Sequence, residues 1–268
     1  DQFQISILAG LTDRMRDRGR IVVPLTHDGS PGTMQKALRF FAEHRIEALI
    51  ASGDFPAMQQ SLLSQGLDTH LILFNNELPG LKCDRVLFND AAGMGKAVEH
   101  LLRIGHRRIG LIAGRPGHSS AEGRLKGYLR ALEAGPGVDP MLVVGHEWSR
   151  HTGYIAGMEL LDRNDPPTAI ICASYLSALG LLDLVRERGI TVPDRLSIIS
   201  FGDCDTFSLI GSGIDALSMP VKAIIDHIDH LYANRLKQRG PVQAVVDVEL
   251  IVRGSSAPPV QRRASSQE

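Results

Sequence analysis

Two kinds of segment alternate along the chain. Short apolar runs, IVVPL (21–25), ALIAS (48–52), HLILF (70–74), RIGLIA (108–113), TAIIC (168–172) and LSIISF (196–201), are separated by longer stretches with apolar residues every three or four positions. The longer stretches are ISILAGLTDRMRDRG (5–19), TMQKALRFFAEHR (33–45), AAGMGKAVEHLLRIG (91–105), RLKGYLRALEAG (124–135) and YLSALGLLDLVRERG (175–189). A strand that is apolar on successive residues must be covered on both faces. A mostly parallel sheet with helices on either side provides that cover. The pattern therefore predicts an α/β, doubly wound architecture in which the short runs are strands and the amphipathic stretches are crossover helices. Four of those helices end at or just before a glycine, the residue best able to close a helix in the left-handed conformation.

The length of 268 residues suits one large or two smaller compact units. Lys plus Arg is 29 and Asp plus Glu is 30, a formal net charge of -1, so no global field draws the chain to DNA or to an acidic membrane. Any basic function must be local. The three cysteines, Cys83, Cys172 and Cys204, are odd in number and widely spaced, which suits reduced thiols in a cytoplasmic protein. No apolar run reaches about 18 residues and DQFQISILAG has no charged leader, so neither membrane spanning nor export is expected. APPVQRRASSQE has the composition of a flexible tail.

The segment LLRIGHRRIGLIAG (101–114) places His106, Arg107 and Arg108 between a helix-like and a strand-like run. Cations there complement the negative end of the preceding helix, so the cluster reads as punctuation rather than as a phosphate or DNA contact. The same segment resembles the motif "hxxxGHrrIaxiaG" of the lactose-repressor (LacI/GalR) family of bacterial transcription regulators. RLKGYLRAL (124–132), TAIICASYLSALGLL (168–182), ITVPDRLSIISFGD (190–203) and DVELIVRGSSAPP (247–259) resemble further blocks of that family, in the same order and at similar spacing.

The resemblance implies a periplasmic-binding-protein-like core: two doubly wound parallel-sheet lobes with a hinge and an interlobe cleft. It assigns residues 1–89 plus 220–250 to one lobe, 91–217 plus 251–257 to the other, and 258–268 to a flexible tail. Crossovers are expected near 89–91, 217–221 and 252–254. It implies a small-molecule effector between the lobes, a homodimer, and operator DNA bound through a helix-turn-helix absent from these residues. That element and the family's first strand precede a segment like "NPFF", whose place is taken here by DQFQ.

Ligands of doubly wound sheets collect at the carboxyl ends of strands. Carried over position by position, the family's site arginine is Arg124 and its aromatic wall is Trp148; its Asn-Asp pair is replaced by Ser174 and Tyr175. A further family Asp is Asn75, and the first Asp of "GFDD" is Gly202, with Asp203 following. With carboxylates missing around Arg124, a sugar acid, sugar phosphate or other small anion is expected over a neutral sugar, because a buried guanidinium needs a counter-charge.

No catalytic constellation emerges. His146, Glu147 and His151 miss the spacing of a zinc-protease helix. FNDAAGMGK lacks the remaining residues of a phosphate-binding loop. DHIDH (226–230) reads as a solvated amphipathic helix before it reads as a metal pair. No cofactor and no metal are expected. The alternative to a regulator core is a solute-binding receptor for a transporter, which uses the same fold.

Overall fold

The computed structural model describes residues 2–26, 30–44, 46–52, 69–75, 77–78, 80–237 and 239–260. It divides into two compact units, Asp1–Phe88 with Pro220–Val246 and Asn89–Met219 with Asp247–Glu268, so the backbone passes between units three times. In chain order, unit 1 contributes α1 (Gln2–Asp17), α2 (Pro31–Glu43), β1 (Ala48–Ser52), β2 (His70–Phe74) and β3 (Asp84–Phe88). Unit 2 follows with α3 (Asp90–Arg103), β4 (Ile109–Ile112), α4 (Ser119–Glu133), β5 (Val143–Val144), α5 (Arg150–Leu161), β6 (Ala169–Cys172), α6 (Tyr175–Glu187), β7 (Ser197–Phe201) and β8 (Asp215–Ser218). The chain returns to unit 1 for α7 (Val221–Asn234) and β9 (Gln243–Val246), then closes in unit 2 with β10 (Glu249–Ile251).

Unit 1 has a parallel sheet of order β1-β2-β3-β9. Helices α1 and α7 pack together, with Gly10 set against Ile225 and the Arg18 guanidinium donating to Asp229 at 2.6 and 2.9 Å. Asp226 pairs with Arg14 and Lys222. These pairs account for both aspartates of DHIDH, while Ile225 and Ile228 supply the buried face of α7.

The expected strand at 21–25 is not a strand. Residues 20–26 join no sheet, and Ile21 is 91 % exposed. β-Branched residues favour an extended backbone, but a strand exists only when its amide and carbonyl groups find a neighbour, and this segment has none among the described residues.

Unit 2 has a six-stranded sheet of order β10-β8-β7-β6-β4-β5, parallel except for β10 against β8. Because Glu249–Ile251 pair with β8, residues 247–250 belong to unit 2 rather than to the first lobe as expected, and the last passage falls at 246–247. Strands β4, β6 and β7 are buried along their whole length, as their continuous apolar runs require. Their core joins Ile112, Leu160, Ile170, Cys172, Leu181 and Ile198. The buried Asp215 carboxylate accepts the backbone N–H groups of Arg253, Gly254 and Ser255 at 2.7, 2.8 and 3.2 Å, fastening the closing segment to β8. Residues 261–268 of the expected tail lie outside the described residues.

The basic trio after α3 is internal. Gly105 takes φ 107° and turns the chain. His106 is buried, its Nδ1 2.7 Å from Thr168 Oγ1 and its Nε2 2.9 Å from the Ala257 carbonyl. Arg107 donates to the Leu102 and His106 carbonyls, and Arg108 to Asp139 and the Asp165 carbonyl. Helix capping and strand joining use all three side chains.

Candidate functional site

The carboxyl ends of β4, β5, β6 and β7 lead into Gly114, Trp148, Ala173–Ser174 and Gly202–Asp203 respectively, so one rim of unit 2 collects most of the expected residues. Arg124 projects from α4 and is 5 % exposed. Its Nε donates to Asp90 Oδ1 at 2.8 Å and its Nη1 to the Ala173 carbonyl at 2.6 Å. The guanidinium lies 3.8 Å from the Phe201 ring centroid and 5.5 Å from that of Trp148.

Asp90 opens α3, one residue after the chain enters unit 2, and is 34 positions from its partner. The two helices come close enough because Gly127 has no side chain: a Cβ there would stand 2.2 Å from the Ala91 carbonyl oxygen. Burial pushes the Asp90 carboxyl up, against the downward pull of the Arg124 guanidinium and the Ser120 hydroxyl.

This pair overturns the basis for an anionic ligand. The guanidinium already has a carboxylate, from a residue the motif comparison did not single out. The other charges at the rim are paired as well: Asp203 Oδ2 accepts from Arg253 Nη2 at 2.6 Å, and Glu147 meets Arg115 at 3.1 Å. Asp203 Oδ1 accepts from the backbone of Cys204 at 2.9 Å, so its carboxylate is held by the protein on both oxygens.

The remaining expected residues have mixed positions. Ser174 caps α6, its Oγ accepting from Ser177 N–H at 3.1 Å. Tyr175 is the first residue of α6, half-buried, with its Cβ near Gly202. Gly202 has φ 91°, a conformation that disfavours the family's aspartate there. Trp148 packs with its indole edge on Gly114, where a Cβ would stand 2.0 Å from Nε1. That Nε1 is buried and has no hydrogen-bond partner among the described residues. Asn75 stands in unit 1, directly after β2, at φ 60° with its N–H on the Val86 carbonyl.

Sequence reasoning did not find Asp90, Phe201 or His118. His118 caps α4 with its ring, Nδ1 accepting from Ser120 N–H at 3.3 Å, and stands edge-to-face with Trp148 at 4.4 Å between centroids. Only Phe201 had a usable signal, its place at the end of an apolar run. Chemically, the rim offers paired charges, aromatic walls and hydrogen-bonding groups, the makings of a binding site.

A family model described as periplasmic binding protein-like domain matches residues 98–256. The chain is 27% identical over 264 residues to the HTH-type transcriptional regulator DegA of Bacillus subtilis, covering 96% of this chain and 77% of that protein. It is 29% identical over 218 residues to the HTH-type transcriptional repressor CytR of Escherichia coli, covering 79% of this chain and 63% of the repressor. It therefore spans about two thirds to three quarters of these relatives. A LacI family transcriptional regulator from Mycobacterium smegmatis superposes with TM-score 0.85 at 25% identity, over 95% of each chain. The complex of the transcriptional regulator CelR with cellobiose superposes with TM-score 0.85 at 26% identity, over 95% of this chain and 79% of that one.

Proposed function

As the chain belongs to the periplasmic-binding-protein-like domain family, in the form carried by LacI-family transcription regulators, we propose that it is the effector-sensing and dimerisation core of a bacterial DNA-binding regulator, a repressor in the simplest reading. The relatives are named as regulators rather than as enzymes or transport receptors, which favours this reading over a solute-binding receptor. No described helix is long and apolar enough to cross a membrane. Work in the cytoplasm follows from the proposed role.

The effector is a small, uncharged, hydroxyl-rich molecule of the sugar class. One observation carries this choice: Asp90 neutralises Arg124 within the protein at 2.8 Å. An anion at the rim would have to compete with a carboxylate already in place and would leave net negative charge in a poorly solvated site. A neutral ligand meets donors and acceptors whose charges are balanced, with aromatic faces of Trp148 and Phe201 for the apolar side of a ring. Arg124, Trp148, Ser174, Tyr175 and Asp203 would form the binding rim of unit 2, while the remaining candidate, Asn75, belongs to unit 1. The sugar acid or phosphate expected from sequence becomes the less favoured ligand.

Regulation then works through the three passages between units. An effector that binds one arrangement of the lobes better shifts the population toward it, by no more than its differential affinity. Two DNA-reading heads on a homodimer need a set half-site spacing, which a lobe movement can change. A second copy would dock on the apolar face of unit 2 formed by Leu179, Leu182, Val185, Ile190 and Ile210, beside Leu209, which is 82 % exposed. Operator binding would reside in a helix-turn-helix outside these residues.

The test pairs each neutral sugar with its acid: D-ribose with D-ribonate, and cellobiose with cellobionate. A ligand that binds only the folded state raises the melting temperature by mass action. The neutral member of a pair is expected to stabilise and its acid to do so at least tenfold more weakly. Tighter binding of the acid would sink the uncharged-effector reading. Stabilisation by no member, in a panel widened to other neutral polyols, would remove the sensing role.

A further inference from the structure

We propose that the first two turns of α3 form a relay between the rim around Arg124 and the first and third passages of the chain, with Asn89 and Val248 as its positioning residues. The inference rests on the effector reading above and adds to it the route by which a change at the rim reaches the passages. Every contact in it lies within unit 2.

The passages converge on one helix turn. The chain enters unit 2 at Asn89, α3 begins at Asp90, and the Asn89 carbonyl accepts the Gly93 N–H at 2.9 Å to open the helix. The third passage returns at Asp247 to the same place. Asn89 Nδ2 donates to Asp247 Oδ1 at 2.9 Å, and Lys96 Nζ to the Val248 carbonyl at 2.8 Å. The Val248 side chain, 1 % exposed, rests on Gly93, where a Cβ would stand 2.0 Å from its Cγ2. Glycine allows that close approach.

The rim reaches the same turn by two routes. The Cβ position on Gly93 is 3.5 Å from Phe201 Cε2, and the Phe201 ring carries the Arg124 guanidinium at 3.8 Å. Arg124 also donates to Asp90 at 2.8 Å, next to Asn89 in the chain. One route therefore runs from Arg124 through Phe201 and Gly93 to Val248, and the other through Asp90 and Asn89 to Asp247. Arg124, Phe201 and Val248 are all buried, and close packing leaves little free volume to absorb a displacement of one of them. An effector that shifts Arg124 thus moves Asp90 or Phe201, and with them the turn that holds residues 247 and 248.

Coupling through a packed set is tested by perturbing both of its ends. Native-state amide exchange followed by NMR provides the readout, with residues 246–248 as reporters of the passage and Ile170 and Ile198, in buried strands, as reporters of global opening. Arg124→Met alters the rim without any ligand. We expect it to speed exchange at 246–248 about fivefold more than at Ile170 and Ile198, and to add less than about twofold when introduced into Val248→Ala or into the milder double variant Asn89→Ala with Asp247→Ala. The swap Asn89→Asp with Asp247→Asn keeps a hydrogen bond across the two positions with its donor reversed, and should restore the full response. Equal acceleration at all reporters means that Arg124 is merely structural and overturns the proposal. So does an effect of Arg124→Met that is the same in every background.

The ligand arm uses D-ribose and cellobiose, with binding read from the emission of Trp148, the single tryptophan of the chain. A sugar that binds should change exchange at 246–248 in the wild type and not in Val248→Ala. Binding with those amides unmoved in the wild type overturns the relay and leaves the effector reading intact. If the variants couple but neither sugar nor any other neutral polyol perturbs Trp148, the relay stands and the effector reading fails.

Discussion

Breaking the Arg124–Asp90 pair from each side should give two different penalties. Asp90→Asn leaves a buried guanidinium without its carboxylate. Losing one partner of a buried pair costs about 3 to 5 kcal/mol in general, but the cation here also faces the Phe201 ring at 3.8 Å, and cation–π support is worth about 0.5 to 2 kcal/mol. A net loss of about 2 to 4 kcal/mol follows. Arg124→Met strands the carboxylate instead. Burial already pushes that group up, and without the guanidinium nothing but Ser120 opposes the shift, so the acid takes up a proton at a modest cost. The sign follows from linkage: a carboxyl whose folded pKa lies above its unfolded value is most favourable to folding at low pH, and that contribution is lost as pH rises through the folded value. Arg124→Met should therefore be milder at pH 5 than at pH 8, whereas the Asp90→Asn penalty should change little. The double variant, which buries no uncompensated charge, should be more stable than the two single losses added together by at least about 1 kcal/mol. Urea unfolding followed by far-ultraviolet circular dichroism at both pH values measures all four corners of the cycle. A coupling below about 0.5 kcal/mol would mean that the pair is not closed in solution, and the argument for an uncharged effector would go with it.

Other expectations are simpler. Gly114→Ala sets a methyl 2.0 Å from Trp148 Nε1, so the indole must move; tryptophan emission should shift, with a stability loss of about 1 to 3 kcal/mol, and an unaltered spectrum would show that the packing is looser than described. Gly180→Ala puts a Cβ 1.9 Å from the Arg150 carbonyl oxygen where α5 and α6 cross; it should cost more than Gly114→Ala because backbone must yield, and a melting temperature equal to wild type would contradict that crossing. His118, with its ordinary value of 6.5 lowered to about 4, contributes stability that is complete above pH 6.5 and lost as pH falls toward 4. At about 1.4 kcal/mol per pH unit this amounts to about 3 kcal/mol, read as the difference between wild type and His118→Asn in acid melts; parallel pH curves would refute it. Leu182→Glu on the apolar face of unit 2 should shift a dimer to monomer in light scattering, and an unchanged mass would move the interface elsewhere.

Much of the architecture was legible because it is local. The runs at 48–52 and 70–74 are strands over those residues, and the amphipathic stretches at 91–105 and 175–189 are helices to within a turn at either end. Propensity, periodicity and glycine caps act over a few residues, so a linear reading reaches them. The same holds for Gly105, and the motifs in order were enough to point to the family.

Tertiary structure decided the rest. IVVPL has the composition of a strand, yet the state of a strand depends on its neighbour, which composition does not encode. Residues 247–250 joined unit 2 because an antiparallel pairing with β8 drew them there. At the rim, Arg124 was visible from its motif, but its charge state in effect was not. Whether a guanidinium seeks a ligand depends on which carboxylate stands 2.8 Å away, and Asp90 reaches that position only because two helices close over Gly127. Segment identity is set by interactions between near neighbours in the chain, whereas the balance of buried charge is set by through-space distances that only packing defines.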